Sequence, residues 1–222
     1  GQSVQWTLAK SRHLLFCLLQ HPLGLRKERI GEMLWPDHDP ERLDSAFRST
    51  LYRLRRTLFR DSVIFEDGVY SFNWASDYWF DVKAFETLLS EAGQSSIEEQ
   101  AIALLERALA LYVGDYMEGH FADWLAIERE RLQKRYLRAV EILAGLHAER
   151  RELQRAIELY QHLLAQDSYR EVAHRELMRC YFRLGDRAAG IKQYQACVEI
   201  LREDLGLDPA EETEALYLQI IG

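Results

Sequence analysis

Thirteen consecutive residues, RSTLYRLRRTLFR at 48–60, carry five arginines and no carboxylate. The chain around them is acidic, with 28 Lys and Arg against 36 Asp and Glu and a formal net charge of −8. Guanidinium groups in such a run can do two kinds of chemistry: neutralise phosphates, or grip O6 and N7 of a guanine through two parallel N–H bonds. The hydroxyls interleaved with them, Ser45, Ser49 and Tyr52, can bond phosphate oxygens. A carboxylate would repel the same ligand, which gives a physical reason for its absence from the run.

That chemistry needs a helix to present it. At about 100° per residue, Phe47, Leu51, Leu54 and Leu58 fall in one narrow arc and form a core face. Ser45, Ser49, Tyr52, Arg53, Arg56 and Arg60 lie opposite, and Arg48 and Arg55 share a flank. Small residues on the outer face suit entry into a DNA major groove about 12 Å wide. The alternative is an amphipathic helix with a merely solvated face, but solvated faces ordinarily mix both signs of charge. Asp39 before Pro40 supplies an N-cap acceptor followed by a proline whose missing N–H costs nothing there. The helix is therefore expected over 40–60.

The remaining reactive residues form no comparable set. Seven histidines (His13, His21, His38, His120, His147, His162 and His174) make no H-E-x-x-H pair, and there is no Cys-x-x-Cys. The segment DHD at 37–39 has no second cluster to complete a metal site. No phosphate-binding G-x-x-x-x-G-K-[ST] loop and no G-x-S-x-G elbow occurs. The expectation is a protein that is not an enzyme and uses no metal or cofactor. Cys17, Cys180 and Cys197 are odd in number and far apart, as expected of buried thiols in a reducing cytosol. No apolar run approaches the roughly 20 residues that span a bilayer, so no membrane partner is expected. The location expected is the cytoplasm, at the bacterial nucleoid.

The elements that must carry the arginine face follow from the flanking sequence. Residues 9–20 read as a helix stopped at His21-Pro22, and 23–35 as a turn and a short second helix closed by Pro36. After the third helix, SVIFEDGVYSFNW at 62–74 has two β-prone runs around Asp67-Gly68, a tight-hairpin signal. Three short helices and a hairpin are the plan of a winged helix-turn-helix. The acidic EDG tip argues against a wing that grips phosphate strongly.

From Asp81 onward the chain reads as helix, punctuated at 92–96, 113–115, 184–186 and 205–209. AIELY at 156–160 lies 34 residues before GIKQY at 190–194. Glu152 and Asp186 share that offset, as do Leu143 and Leu177. This is the tetratricopeptide period, with an unrelated helical bundle as the alternative. Tyr112, Trp124, Leu159, Tyr160 and Tyr194 read mainly as core, with some available to line a groove for a partner peptide. The fold class is thus mainly α, with a DNA-binding unit over 1–74 and an all-α, tetratricopeptide-like unit over 75–222. Charge divides the same way: 11 basic against 9 acidic residues in 1–74, and 17 against 27 in the remainder.

The stretch LLFCLLQHP, LRKERIGEMLWPDHDPERLDSAFRSTLYRLRRTL resembles the DNA-binding domain of Streptomyces antibiotic regulatory proteins, a branch of the OmpR/PhoB-type winged helices. WFDVKAFE, ALALYVGDYMEG and DWLAIERERLQKRYLRAVEILA resemble the bacterial transcriptional activation domain that follows it, and the match continues to LGLDP. The resemblance implies a transcription activator that binds direct repeats near promoters and recruits RNA polymerase with its sigma factor. A homodimer on the DNA is one arrangement it allows. The implied DNA contacts are Ser45, Arg48, Ser49, Tyr52, Arg53, Arg55 and Arg56, to which the helical wheel adds Arg60. The implied polymerase-contact loop holds Trp35, Asp37, His38 and Asp39. Relatives place a small sheet before the first helix, where only SVQW stands here, so either the chain is a fragment of a longer one or those strands lie upstream of its start. The alternative function is a protein-interaction scaffold whose winged helix no longer binds DNA and whose arginines engage an acidic protein.

Overall fold

The computed structural model describes residues 6, 9–119 and 123–222. The SVQW segment and His120 therefore lie, wholly or nearly so, outside the described residues. The chain divides into two compact units, 1–79 and 80–222.

In the first unit, α1 (Ala9–Gln20), α2 (Lys27–Leu34) and α3 (Pro40–Thr57) precede a hairpin of β1 (Val63–Glu66) and β2 (Val69–Phe72). Leu14, Leu18, Ile30, Leu34, Phe47 and Leu54 are fully buried and join the three helices in one core. Gly31 permits the close approach of α2 to α3, since a Cβ there would sit 2.6 Å from the Leu43 side chain. The hairpin pairs antiparallel with Glu66 opposite Val69. Asp67 and Gly68 between them both have positive φ, 51° and 79°, the twist that a two-residue turn needs to match its strands. Leu25 exchanges two backbone hydrogen bonds with Tyr70, at 2.9 and 2.8 Å, and so ties β2 to the α1–α2 connection. The unit runs past the expected boundary at Trp74 to Trp79, because Phe72, Trp74 and Tyr78 pack mutually edge to face at 5.1–5.4 Å.

The second unit is helical throughout its described residues: α4 (Asp81–Gln94), α5 (Glu98–Leu111), α6 (Asp123–Glu149), α7 (Leu153–Gln166), α8 (Glu171–Arg183), α9 (Arg187–Leu205) and α10 (Glu211–Ile221). Consecutive helices pack on one another, and α4–α8 share a single apolar core. The 34-residue offset has a structural counterpart. Leu143 and Leu177 are each 1% exposed, Glu152 and Asp186 are the N-cap positions of α7 and α9, and Arg151 and Gly185 just before them both have positive φ. Tyr160 and Leu159 are core residues. Tyr112 instead stacks on Tyr136 at 4.3 Å, and Tyr194 on Tyr217 at 3.9 Å.

All three cysteines are free and buried. Burial pushes the thiol of Cys17 up to about 12 and those of Cys180 and Cys197 up to about 11, so they stay protonated and inert near neutrality. No helix among the described residues is long and apolar enough to cross a membrane.

Candidate nucleic-acid interface

Helix α3 begins as its sequence dictates. The Asp39 side chain accepts a 2.9 Å bond from the Arg42 backbone N–H, and Pro40 occupies the first turn. Phe47, Thr50, Leu51 and Leu54 are buried and fix the rotation of the helix about its axis. That rotation turns Ser45, Arg48, Ser49, Tyr52, Arg53 and Arg56 outward to solvent, with Tyr52 65% exposed.

Three expected members behave otherwise. The helix ends at Thr57 rather than at 60, because Leu58 (φ −93°, ψ −86°) leaves helical geometry. Arg60 is thus exposed on the turn that follows, not on the helix. Arg55 is half-buried and points away from the exposed face, its Nη2 donating to the Val63 carbonyl at 2.6 Å. It joins the last turn of α3 to β1. In the preceding loop, Asp37, His38 and Asp39 are exposed, but Trp35 is 8% exposed, with the Lys10 ammonium 5.9 Å over its ring. Trp35 is therefore a packing residue rather than part of a contact surface.

Electrostatics separate this face from the other helices. Elsewhere exposed guanidiniums are commonly held by carboxylates three residues away, as in Arg29–Glu32 at 2.6 Å, Arg138–Glu141 at 2.8 Å and Arg155–Glu158 at 3.1 Å, with Arg107 of α5 an exception. Arg131 and Arg135 share Glu86 at 2.6 and 2.9 Å. Among the described residues, Arg53, Arg56 and Arg60 have no such partner. One carboxylate does stand at the edge of the face. Asp44 takes Arg48 Nη2 at 2.7 Å and Lys27 Nζ at 2.9 Å. The sequence reading overlooked it, although the Asp44–Arg48 spacing of four is an ion-pair signal in any helix. The hydrogen bond from Lys27, with the charge of Arg48 added, holds the Asp44 carboxyl below the usual carboxylate range, and the Lys27 ammonium is correspondingly raised.

No group of three or more His, Cys, Asp or Glu side chains that could hold a metal ion occurs among the described residues. The arrangement is suited to binding a polyanion: two unpaired guanidiniums, a restrained third and hydroxyls on one helix face, with the unpaired Arg60 on the turn that follows.

Comparison with known proteins gives a family for the second unit. Residues 80–221 match the bacterial transcriptional activator domain. The whole chain is 27% identical over 236 aligned positions to the regulatory protein AfsR of Streptomyces coelicolor, and 88% of it is 26% identical to AfsR of Streptomyces griseus. It spans 23% and 21% of the length of those relatives. Among solved structures, EmbR of Mycobacterium tuberculosis, in complex with a low-affinity phosphopeptide, superposes with a TM-score of 0.84 at 19% identity. That likeness covers 96% of this chain and 59% of the other, and it shows a shared fold.

Proposed function

Because the chain belongs to the bacterial transcriptional activator domain family, we propose that it is part of a sequence-specific transcription activator that binds double-stranded DNA through α3. On this reading α1–α3 and the hairpin form a winged helix-turn-helix, with α3 lying in the major groove. The second unit is a tetratricopeptide-like surface for protein partners. The observation that carries the reading is the set of unpaired arginines, Arg53 and Arg56 on α3 and Arg60 on the turn after it, in a chain whose exposed helix arginines are otherwise commonly paired. Leaving three like charges near one another without counter-ions is unfavourable in the free protein. A phosphate backbone would relieve that repulsion and release its own condensed cations.

Ser45, Ser49 and Tyr52 supply hydroxyls beside the guanidiniums, and α3 carries no bulky apolar side chain outward among Ser45, Arg48, Ser49 and Arg53 to bar the groove. Selection of bound sequences from a random duplex pool tests the reading. Recovery of a repeated motif supports it and supplies the target. Recovery of unselected sequence would contradict it and favour a scaffold whose arginines engage an acidic protein.

The exposed loop at Asp37–Asp39 is proposed to meet RNA polymerase. Asp37 tests this more cleanly than Asp39, which caps α3. Asp37→Ala should leave duplex affinity unchanged and reduce transcription in a purified system. Wild-type output from that variant would remove the loop from the account.

A further inference from the structure

Asp44 is an anomaly for a surface that binds a polyanion. It lies on α3 one residue before Ser45 and one turn before Arg48, and its side chain is 31% exposed. Its two oxygens are both used. Oδ1 accepts from Lys27 Nζ at 2.9 Å, and Oδ2 faces Arg48 Nη2 at 2.7 Å. Lys27 opens α2, so the carboxylate links that helix to α3 and at the same time holds an arginine that is itself 78% exposed.

The consequence for Arg48 is restraint without burial. An exposed arginine is ordinarily spread over many rotamers, and ordering it on a ligand costs entropy. Here one Nη is anchored, and the other guanidinium N–H groups remain directed to solvent. The carboxylate also changes what that guanidinium can bind. A phosphate placed against Arg48 would come within range of a second anion. A guanine edge, which is neutral and presents two acceptors, would not be repelled in this way. Arg53, Arg56 and Arg60 lack such a neighbour and can take phosphates at any sequence.

Resting on the reading of α3 as the groove helix, we propose that Asp44 is a positioning residue for sequence discrimination: it fixes Arg48 for a bidentate contact to a guanine edge and disfavours its use as a phosphate clamp. Asp44 then lowers affinity for duplexes in general and raises the preference for the correct one, the pattern of a repulsive group that works through specificity.

The test measures affinity for two duplexes, the one recovered by selection with the wild-type chain and a scrambled duplex of equal length. Asp44→Asn removes the charge at nearly constant shape. The expected result is tighter binding to the scrambled duplex, weaker binding to the selected one, and a fall of about tenfold in their ratio, the size of one lost base contact. In an Arg48→Lys background, which lacks the guanidinium fork, Asp44→Asn should tighten both duplexes alike and leave the ratio unchanged. Lys27→Met breaks the link to α2 while keeping Asp44 against Arg48, so it separates loss of structure from loss of positioning and should preserve the ratio. An unchanged ratio for Asp44→Asn in the wild-type background, or an equal fall in the Arg48→Lys background, overturns the proposal while leaving DNA binding by α3 intact. Absence of salt-dependent duplex binding by the wild-type chain overturns both.

Discussion

Within RSTLYRLRRTLFR the same side chain has two different uses. Arg55 anchors the hairpin through the Val63 carbonyl, whereas Arg53 and Arg56 are exposed and have no hydrogen-bond or ion-pair partner among the described residues. Arg55→Ala should therefore lower stability by about 1–2 kcal/mol, the range for a hydrogen bond from a charged donor after allowance for partial exposure, and Arg53→Ala should leave it unchanged. Urea titration of both variants checks the contrast. The wheel could place Arg55 on a flank, but not name its partner. That partner is a backbone atom eight residues on, brought near only when the hairpin folds back. Burial of Trp35 was illegible for the same reason, since Lys10, whose ammonium lies over its ring, comes from another helix.

His174 is buried, with Nε2 3.0 Å from the Ser168 carbonyl and Nδ1 2.5 Å from Gln193 Nε2. The arrangement fits a neutral ring that donates through Nε2 and accepts at Nδ1. Burial is the main influence and lowers its pKa, with the carbonyl of Ser168 and the charge of Glu171 partly opposing. The unfolded chain takes up a proton near pH 6.5 and the folded chain only at lower pH. Stability contributed by the neutral ring is thus fully present above that value and declines as pH falls through the window below it. Denaturation midpoints should drop as pH falls below about 6.5, and His174→Gln should flatten that part of the profile. A wild-type profile unchanged by the substitution would remove His174 as its source.

At the scale of elements, local chemistry determined what could be read. Asp39-Pro40 marked the start of α3 because a cap is a contact between near neighbours, and Asp67-Gly68 marked the hairpin because positive φ favours such residues. Gly68 has φ 79° and open space around a built Cβ, so Gly68→Val should cost about 1–2 kcal/mol through the backbone alone. An unaltered melting temperature would refute that turn geometry.

The junction of α6 and α7 carries no such mark. Arg151 adopts φ 62° where the repeat one period later has Gly185, so a reader seeking glycine passes over it. Arg151→Gly should stabilise the second unit by roughly 0.5–1 kcal/mol, the relief of a left-handed side chain less the added freedom of the unfolded glycine. The end of α3 at Thr57 was hidden too, because Leu58, Phe59 and Arg60 are all residues a helix accepts.

Across the whole molecule, positive charge that is free to act is concentrated in a weakly basic first unit, and the second unit carries the acidic excess. An acidic unit adds little to non-specific attraction for DNA, so on this account binding depends on α3. The electrostatic share of that binding can be estimated. With Arg53, Arg56 and Arg60 each neutralising one phosphate, log affinity should fall against log salt with a slope of about −3 per chain. Fluorescence anisotropy of the selected duplex at several salt concentrations, with the wild type, Arg53→Ala, Arg56→Ala and Arg107→Ala, measures this directly. Arg107 is an exposed arginine of α5, so its loss removes the same charge from the second unit. The account predicts weaker binding for the two α3 variants, by about 1–3 kcal/mol where a base edge is lost or with a slope reduced by about one where a phosphate is lost, and wild-type behaviour for Arg107→Ala. Equal losses in all three variants, or no loss in any, would contradict it.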